Sequence, residues 1–270
     1  MSKDIAKILQ AWEYEPDQMS VRLIRGDDGR EKIQLRIDLG LLQMELSGRP
    51  DGLRPEGFES WLDYYQHCFA ESDAAEPDVA PMTLGASDCA RLLREGIQYY
   101  HRYLSLWHLK RYELCARDTS RNLRLFAFVR QHADNDRDKL QFDQWRPYVT
   151  MMHARAVATP LEELKQYEAA LSAVNAAIRG VWAFLEAYDQ THRSAECAEL
   201  AQLERWRTSL ESKVEKSKPK RPLDPIQRLQ KMLDDAIAEE RFEDAAKHRD
   251  EIARLKSVVG SSGLSDETTD

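Results

Sequence analysis

Residues 224–256 read DPIQRLQKMLDDAIAEERFEDAAKHRDEIARLK. Apolar side chains recur at Ile226, Leu229, Met232, Leu233, Ala236 and Ile237, the spacing of an amphipathic helix. A second stripe runs through Phe242, Ala245, Ala246, Ile252 and Leu255. Only Glu239–Arg241 separates the two, room for a tight reversal and nothing longer. The segment therefore predicts two helices folded back on each other. A hairpin this small buries little on its own, so its apolar face needs a partner, which points to binding more than to chemistry.

Working outward, helical periodicity fills the chain from Ser87 almost to Pro219. Breaks are expected near His108–Lys110, at Ala133–Asp138, at Thr159-Pro160 and at Gln190–Ser194. Thr159-Pro160-Leu161-Glu162-Glu163 carries a helix-start signature: a capping hydroxyl, proline in the first turn, then carboxylates at the positive helix end. Leu109-Lys110-Arg111-Tyr112-Glu113 is echoed 55 residues later by Leu164-Lys165-Gln166-Tyr167-Glu168. These phrases resemble the turn of tetratricopeptide helix pairs, although the period does not fit a regular 34-residue array. Tyrosine packing at unrelated helix corners would give the same phrases, and either origin yields stacked helical hairpins.

Before Ser87 the period changes. Val21–Arg25 is followed by the turn Gly26-Asp27-Asp28-Gly29. Then Ile33, Leu35, Ile37 and Leu39 alternate with Gln34, Arg36 and Asp38, the pattern of a half-buried strand. Leu42, Met44 and Leu46 continue the alternation beyond Gly40. A three-stranded antiparallel meander is expected, ending at Ser47-Gly48-Arg49-Pro50-Asp51-Gly52, with helices at Ile5–Glu13 and Glu56–Glu71 to cover it. The predicted class is α+β, mainly α. Residues 1–85 form the meander with flanking helices, 86–216 a helical bundle, 217–223 a Pro- and Lys-rich linker, 224–257 the hairpin and 258–270 a disordered tail.

Composition narrows the function. The 270 residues are 42% hydrophobic and 32% charged, with a net charge of −8. That acidity argues against a general nucleic-acid binder. Cys68, Cys89, Cys115 and Cys197 are widely spaced and suit reduced thiols. The first residues are charged and lack an apolar run, and no stretch reaches the roughly 20 apolar residues of a membrane span. A cytoplasmic location is the expectation.

The run from Arg241 to Leu255 also resembles a known motif. It satisfies F-E-x-A-A-x-x-R-D-x-I-x-x-L at every position through Phe242, Glu243, Ala245, Ala246, Arg249, Asp250, Ile252 and Leu255. This is similar to the UVR motif, the helical hairpin shared by the excision-repair proteins UvrB and UvrC, the Clp-type ATPase ClpC and the adaptor McsA. The resemblance covers about the last eighth of the chain. It implies protein–protein contact, including contact between two such hairpins, and a bacterial source. The chain has no GxxxxGK(S/T) loop, no CxxC pair and nothing resembling the UvrC nuclease domain.

Other constellations carry less. His101, His108 and Cys115 are seven apart, about 10.5 Å per step on one helix, too far for one ion. Asp134, Asp136 and Asp138 imitate an EF-hand start, but Lys139 and Trp145 stand where Gly and Glu are required. They read as a solvated turn before the next helix. Tyr99, Tyr103 and Trp107 lie on one helix face and read as core. Arg111, Arg117, Arg121, Arg124 and Arg130 give the following helix a basic side, read as a solvated face with intrahelical ion pairs. Asp38, Glu45, Asp51, Glu59 and Asp63 lack an accompanying nucleophile, so no catalytic residue is assigned.

The expectation is a non-enzymatic adaptor that binds a partner protein or a second copy through Leu233, Ile237, Phe242, Ala245, Ala246, Arg249, Asp250 and Ile252. Phe242 is its anchor. Arg49 and Asp51 mark a candidate ligand loop, with Arg49 as an anion contact. No metal and no cofactor is expected. A nucleic-acid-repair accessory factor is the alternative, resting on the UvrB/UvrC likeness and the basic run through Lys213, Lys216, Lys218, Lys220 and Arg221.

Overall fold

A computed structural model describes residues 4–73, 82–218 and 225–261, the last of these with side chains over 226–256. The chain divides into two compact units, Met1–Lys216 and Ser217–Asp270.

The first unit opens with a short helix, α1 (Ala6–Gln10), and the antiparallel meander β1 (Val21–Arg25), β2 (Glu31–Ile37) and β3 (Gly40–Glu45). Ile33 sits opposite both Leu23 and Met44, and Leu35 opposite Val21 and Leu42. Ile33, Leu35 and Met44 are buried, as their alternation predicts, but Ile37 and Leu39 are exposed. Gln34 and Arg36, expected to face solvent, are buried instead. Polar cover explains this. Gln34 bonds the Arg22 and Gln43 side chains, while Arg36 donates to the Trp12 carbonyl and lies over the Tyr14 ring. The segment after α1 thus lies over Arg36 and Arg22 on the second face of the sheet, while the neighbouring strands satisfy Gln34.

Helix α2 (Trp61–Asp73) begins later than its sequence pattern suggests. Glu56 and Gly57 have positive φ, which stops a helix from propagating through them. Ser60 accepts from the Asp63 amide at 3.2 Å and starts the helix. Next come α3 (Ala86–His108), α4 (Tyr112–His132), α5 (Asp136–Asp143), α6 (Arg146–Glu163), α7 (Tyr167–Ala187) and α8 (Ala198–Ser217), with a 3-10 segment at Thr191–Glu196. Residues 74–81 of the loop expected between α2 and α3 lie outside the described residues, as do 219–224 of the linker. Asp88 reaches back to the Gly85 amide at 3.1 Å at the start of α3. Asn135 accepts from Asp138 N–H at 2.9 Å and caps α5.

The expected break at Thr159-Pro160 does not occur. α6 runs through Pro160, at the cost of the hydrogen bond its missing N–H would have made to Ala156. Buried Ala154, Ala156 and Ala158 hold the helix in line against the core. The stop comes at Lys165, whose φ of 60° is left-handed; Lys165 N–H donates to Glu162 O at 2.9 Å and Gln166 N–H to Leu161 O at 2.8 Å. Lys110 repeats that geometry between α3 and α4, with φ 55°, Lys110 N–H on Trp107 O and Arg111 N–H on Leu106 O. Both are Schellman closures. The two halves of the 55-residue echo are therefore the same helix corner built twice. Cys115 and Ala170, each three residues after the corner tyrosine, are fully buried and let the two helices approach.

One core spans the unit, joining Ile33, Leu35 and Met44 of the sheet to the bundle helices. Across it runs a buried polar network. Glu95 of α3, fully buried, accepts from the Trp61 and Leu62 amides at the start of α2 and from Arg121 of α4. The Arg49 guanidinium is 3.6 Å away. Arg102 forms a two-pronged pair with Asp118 at 2.6 and 3.0 Å and also donates to the Glu45 and Gly48 carbonyls. The Tyr99 ring lies within reach of both Arg102 and Arg121, at 4.7 and 4.1 Å. No helix among the described residues is long and apolar enough to cross a membrane.

Removing Glu95 would strand Arg121 as a buried charge and uncap α2. Glu95→Ala is expected to destabilise this unit by about 3–5 kcal/mol. Urea unfolding followed by tryptophan fluorescence measures it cleanly, because Trp12, Trp61, Trp107, Trp145, Trp182 and Trp206 all lie in the first unit. A loss below about 1 kcal/mol would mean the network is dispensable.

Candidate partner-binding hairpin

The second unit contains α9 (Pro225–Ala238) and α10 (Phe242–Ser261). α10 extends into 258–261, which the sequence assigns to a disordered tail; residues 262–270 lie outside the described residues. Glu240 has φ 58°, Glu240 N–H donates to Ile237 O at 3.1 Å and Arg241 N–H to Ala236 O at 2.8 Å. This is the closure seen at Lys110 and Lys165, and also at Asp189 after α7; here, as at the two lysines, an aromatic residue follows two positions later. Glu-Glu-Arg-Phe-Glu replaces Leu-Lys-Arg-Tyr-Glu, and buried Ala245 holds the place of Cys115 and Ala170.

Side-chain charges tighten the corner. Arg241 bonds Glu239 at 2.8 Å and Asp244 at 3.0 Å, and Lys247 bonds Asp244 at 3.2 Å. Lys247, and after it Arg241, holds the Asp244 carboxyl below its ordinary pKa. Glu243 and Asp244 also sit in the first turn of α10, where the helix dipole favours anions. All of these groups are solvated, so they set the geometry of the corner more than its stability.

The phase of each helix separates the predicted contact residues into two sets. Along α9, Ile226, Leu229 and Leu233 are half-buried and Ala236 is fully buried. Along α10, Ala245 and Ile252 are buried and His248 and Leu255 half-buried. Both series step by three, four and three, the knobs-into-holes spacing of paired helices. Leu233, Ala245 and Ile252 are therefore spent on the hairpin's own seam and are not free to meet a partner. Ile237, Phe242, Ala246, Arg249 and Asp250 are exposed. Phe242, Ala246, Arg249 and Ala253 step by four, three and four along the outer face of α10. Phe242 is 68% exposed, Ile237 52% and Met232 44%. Arg249 and Asp250 pair with each other at 2.8 Å and not with the seam. His248 and Ala253 were missed by sequence reasoning, yet the three–four–three rhythm through Ala245 would have placed His248 in the seam.

The remaining candidates resolve elsewhere. Arg49 is nearly buried and already bound to Asp51 at 2.9 Å and close to Glu95, so the anion contact expected of it is satisfied inside the fold. Asp51 also accepts from Gln98 at 2.9 Å. The basic side expected on α4 breaks up: Arg121 is buried against Glu95, Arg117 bonds Asp118 and the Leu46 carbonyl, and Arg130 bonds Asp143. Tyr99 and Tyr103 are buried and Trp107 packs on the core. His101 and His108 lie on α3 while Cys115 lies on α4.

Comparison with known proteins agrees with this geometry at one place. A family model described as the UvrB/uvrC (UVR) motif matches residues 224–258. No curated protein and no solved structure matches the chain.

The two sets of side chains should respond differently to substitution. Ala245→Leu overpacks the seam and is expected to cost about 1–3 kcal/mol. Backbone amides of α9 and α10 should then exchange with solvent about tenfold faster or more. Phe242→Ala should leave their exchange within about a factor of two. Hydrogen exchange on the whole chain distinguishes them; equal effects would overturn the division into seam and outer face.

Proposed function

We propose that the protein is a non-enzymatic adaptor that captures a partner protein, or a second copy of itself, on the outer face of α10. The observation that carries this reading is Phe242. It begins α10 at a corner whose counterparts in the body are the half-buried Tyr112 and Tyr167, yet it is 68% exposed. Burying one such side chain contributes about 1.5–3 kcal/mol. Ala246 and Ala253 along the same stripe let a second helix lie close, and Ile237 widens the apolar patch at the corner. Arg249 and Asp250 supply charges at its edge. This arrangement suits an amphipathic helix laid against α10, with a single aromatic anchor. The match to the UVR motif supports the same reading.

Phe242→Asp should abolish recovery of the partner in affinity purification with mass spectrometry, or dimerisation in analytical ultracentrifugation. Its circular dichroism should stay close to that of the parent. Leu164→Asp is the matched control, because Leu164 is also 68% exposed but lies at a corner of the body; it should change neither. Partner recovery that survives Phe242→Asp would sink the proposal. A DNA gel shift that weakens steeply with salt and survives the substitution would favour a nucleic-acid-repair accessory role instead.

A further inference from the structure

A cavity of about 410 Å³ opens in the first unit between α3, α4, α5 and α6, touching the polar network around Glu95 only at Gly96 and Asn122. That volume lies within the range of small-molecule sites. Tyr103, Phe126, Phe142 and Val149 form its buried wall. Ile97, Tyr100 and Trp145 stand at its mouth and are 48%, 37% and 55% exposed. Three large apolar side chains left in solvent around one opening are what an unfilled binding site presents.

The lining selects by charge. In a chain that is 32% charged, no Asp, Glu, Lys or Arg lines this cavity. An ion entering it would lose its hydration with no countercharge to replace it. Aromatic rings dominate the wall, with Tyr100 edge-on to Tyr103 at 5.5 Å and tilted toward Tyr148 at 6.4 Å. Such rings offer faces and edges to another flat ring.

The polar groups select further. The Asn122 amide is already bonded to the Gly96 carbonyl and to Arg121, and the Gln144 side chain to the Gln141 carbonyl. His101, like the Gln141 amide and the Tyr100, Tyr103 and Tyr148 hydroxyls, lines the cavity without a side-chain hydrogen-bond partner among the described residues; it is half-buried, and it is the one imidazole of the lining. Burial lowers its pKa, which favours the neutral ring and leaves one nitrogen able to accept.

We propose that this cavity binds a neutral, flat aromatic small molecule whose one hydroxyl or ring N–H donates to His101. The lining residues all belong to the first unit, so the proposal stands whether or not the adaptor reading does.

Three indoles test it on the unmodified full-length chain by ligand-observed NMR titration. Indole is neutral with an N–H, 1-methylindole lacks the donor, and indole-3-acetate is an anion. Indole should saturate one site with a Kd on the order of 1 mM or tighter, as a ligand of its size permits. 1-Methylindole should bind about fivefold more weakly, the worth of one hydrogen bond, and indole-3-acetate at least about tenfold more weakly. In His101→Phe, indole and 1-methylindole should bind alike. Ile97→Ser and Trp145→Ala, at partly exposed positions, should each weaken indole several-fold with unchanged circular dichroism. Unsaturable indole binding, or indole-3-acetate binding as tightly as indole, overturns the proposal without any variant. Equal affinity of the parent for indole and 1-methylindole overturns the role of His101.

Discussion

Glu95 is the point on which the body turns. A carboxylate removed from water must be matched by donors, and the ones it finds come from different parts of the chain. The α2 amides lie 33 and 34 residues before it, and Arg121 lies 26 after it. Arg102 and Asp118, one or two turns along, tie the same two helices to the strand end at Glu45 and the turn at Gly48. Apolar packing tolerates small slides between helices, whereas a buried ion pair out of register leaves a charge uncompensated. The sheet, α2, α3 and α4 are thus fixed relative to one another by chemistry that admits one arrangement. The loop around Arg49 and Asp51 belongs to this device, which explains its unusual sequence without a ligand.

A single local solution then builds much of the helical remainder. Lys110, Lys165 and Glu240 each end a helix in the left-handed region, and an aromatic residue two positions later begins the next. Three residues beyond that aromatic comes a small buried side chain: Cys115, Ala170 and Ala245. The corner is determined by short-range backbone bonds, so it recurs whatever surrounds it. What differs is the cover. In the body, Trp107 packs 5.2 Å from Tyr112, and Tyr167 lies on the core. The second unit has only two described helices, and its corner aromatic is left outside the seam.

Local pattern accounts for what could be read from the sequence. The meander was visible in the alternation around Ile33 and Leu35 and in the Gly-Asp-Asp-Gly turn, and most helix breaks in the residues that close them. Apart from Pro160, the misreadings share one cause, dependence on partners distant in the chain. Arg36 is buried because Trp12 and Tyr14 fold over it, and Gln34 because Arg22 and Gln43 on the neighbouring strands bond it. The arginines of α4 are no basic face because Glu95 and Asp143 draw two of them across to other helices. Pro160 fails to stop α6 because buried alanines on neighbouring turns hold it straight. In the hairpin, the motif named the residues, but Ala245 and Ala246 are adjacent and nearly alike. Only the phase of α10 against α9 decides that one is seam and the other surface.

The chemistry of the corner aromatics completes the argument for a covered Phe242. Tyr112 and Tyr167 carry a hydroxyl, so a half-buried tyrosine can place its ring on the core and its oxygen in water. Phenylalanine has no polar end to offer. Two helices alone bury too little to offset the ordering of their own residues comfortably. In the seam, Ala236, Ala245 and the half-buried His248 take places among Leu229, Leu233, Ile252 and Leu255 where larger aliphatic side chains would add more. An exposed phenylalanine on such a hairpin contributes almost nothing to holding it together. Its apolar surface becomes useful only when a second polypeptide removes it from water, and the same contact would then stabilise the hairpin that presents it.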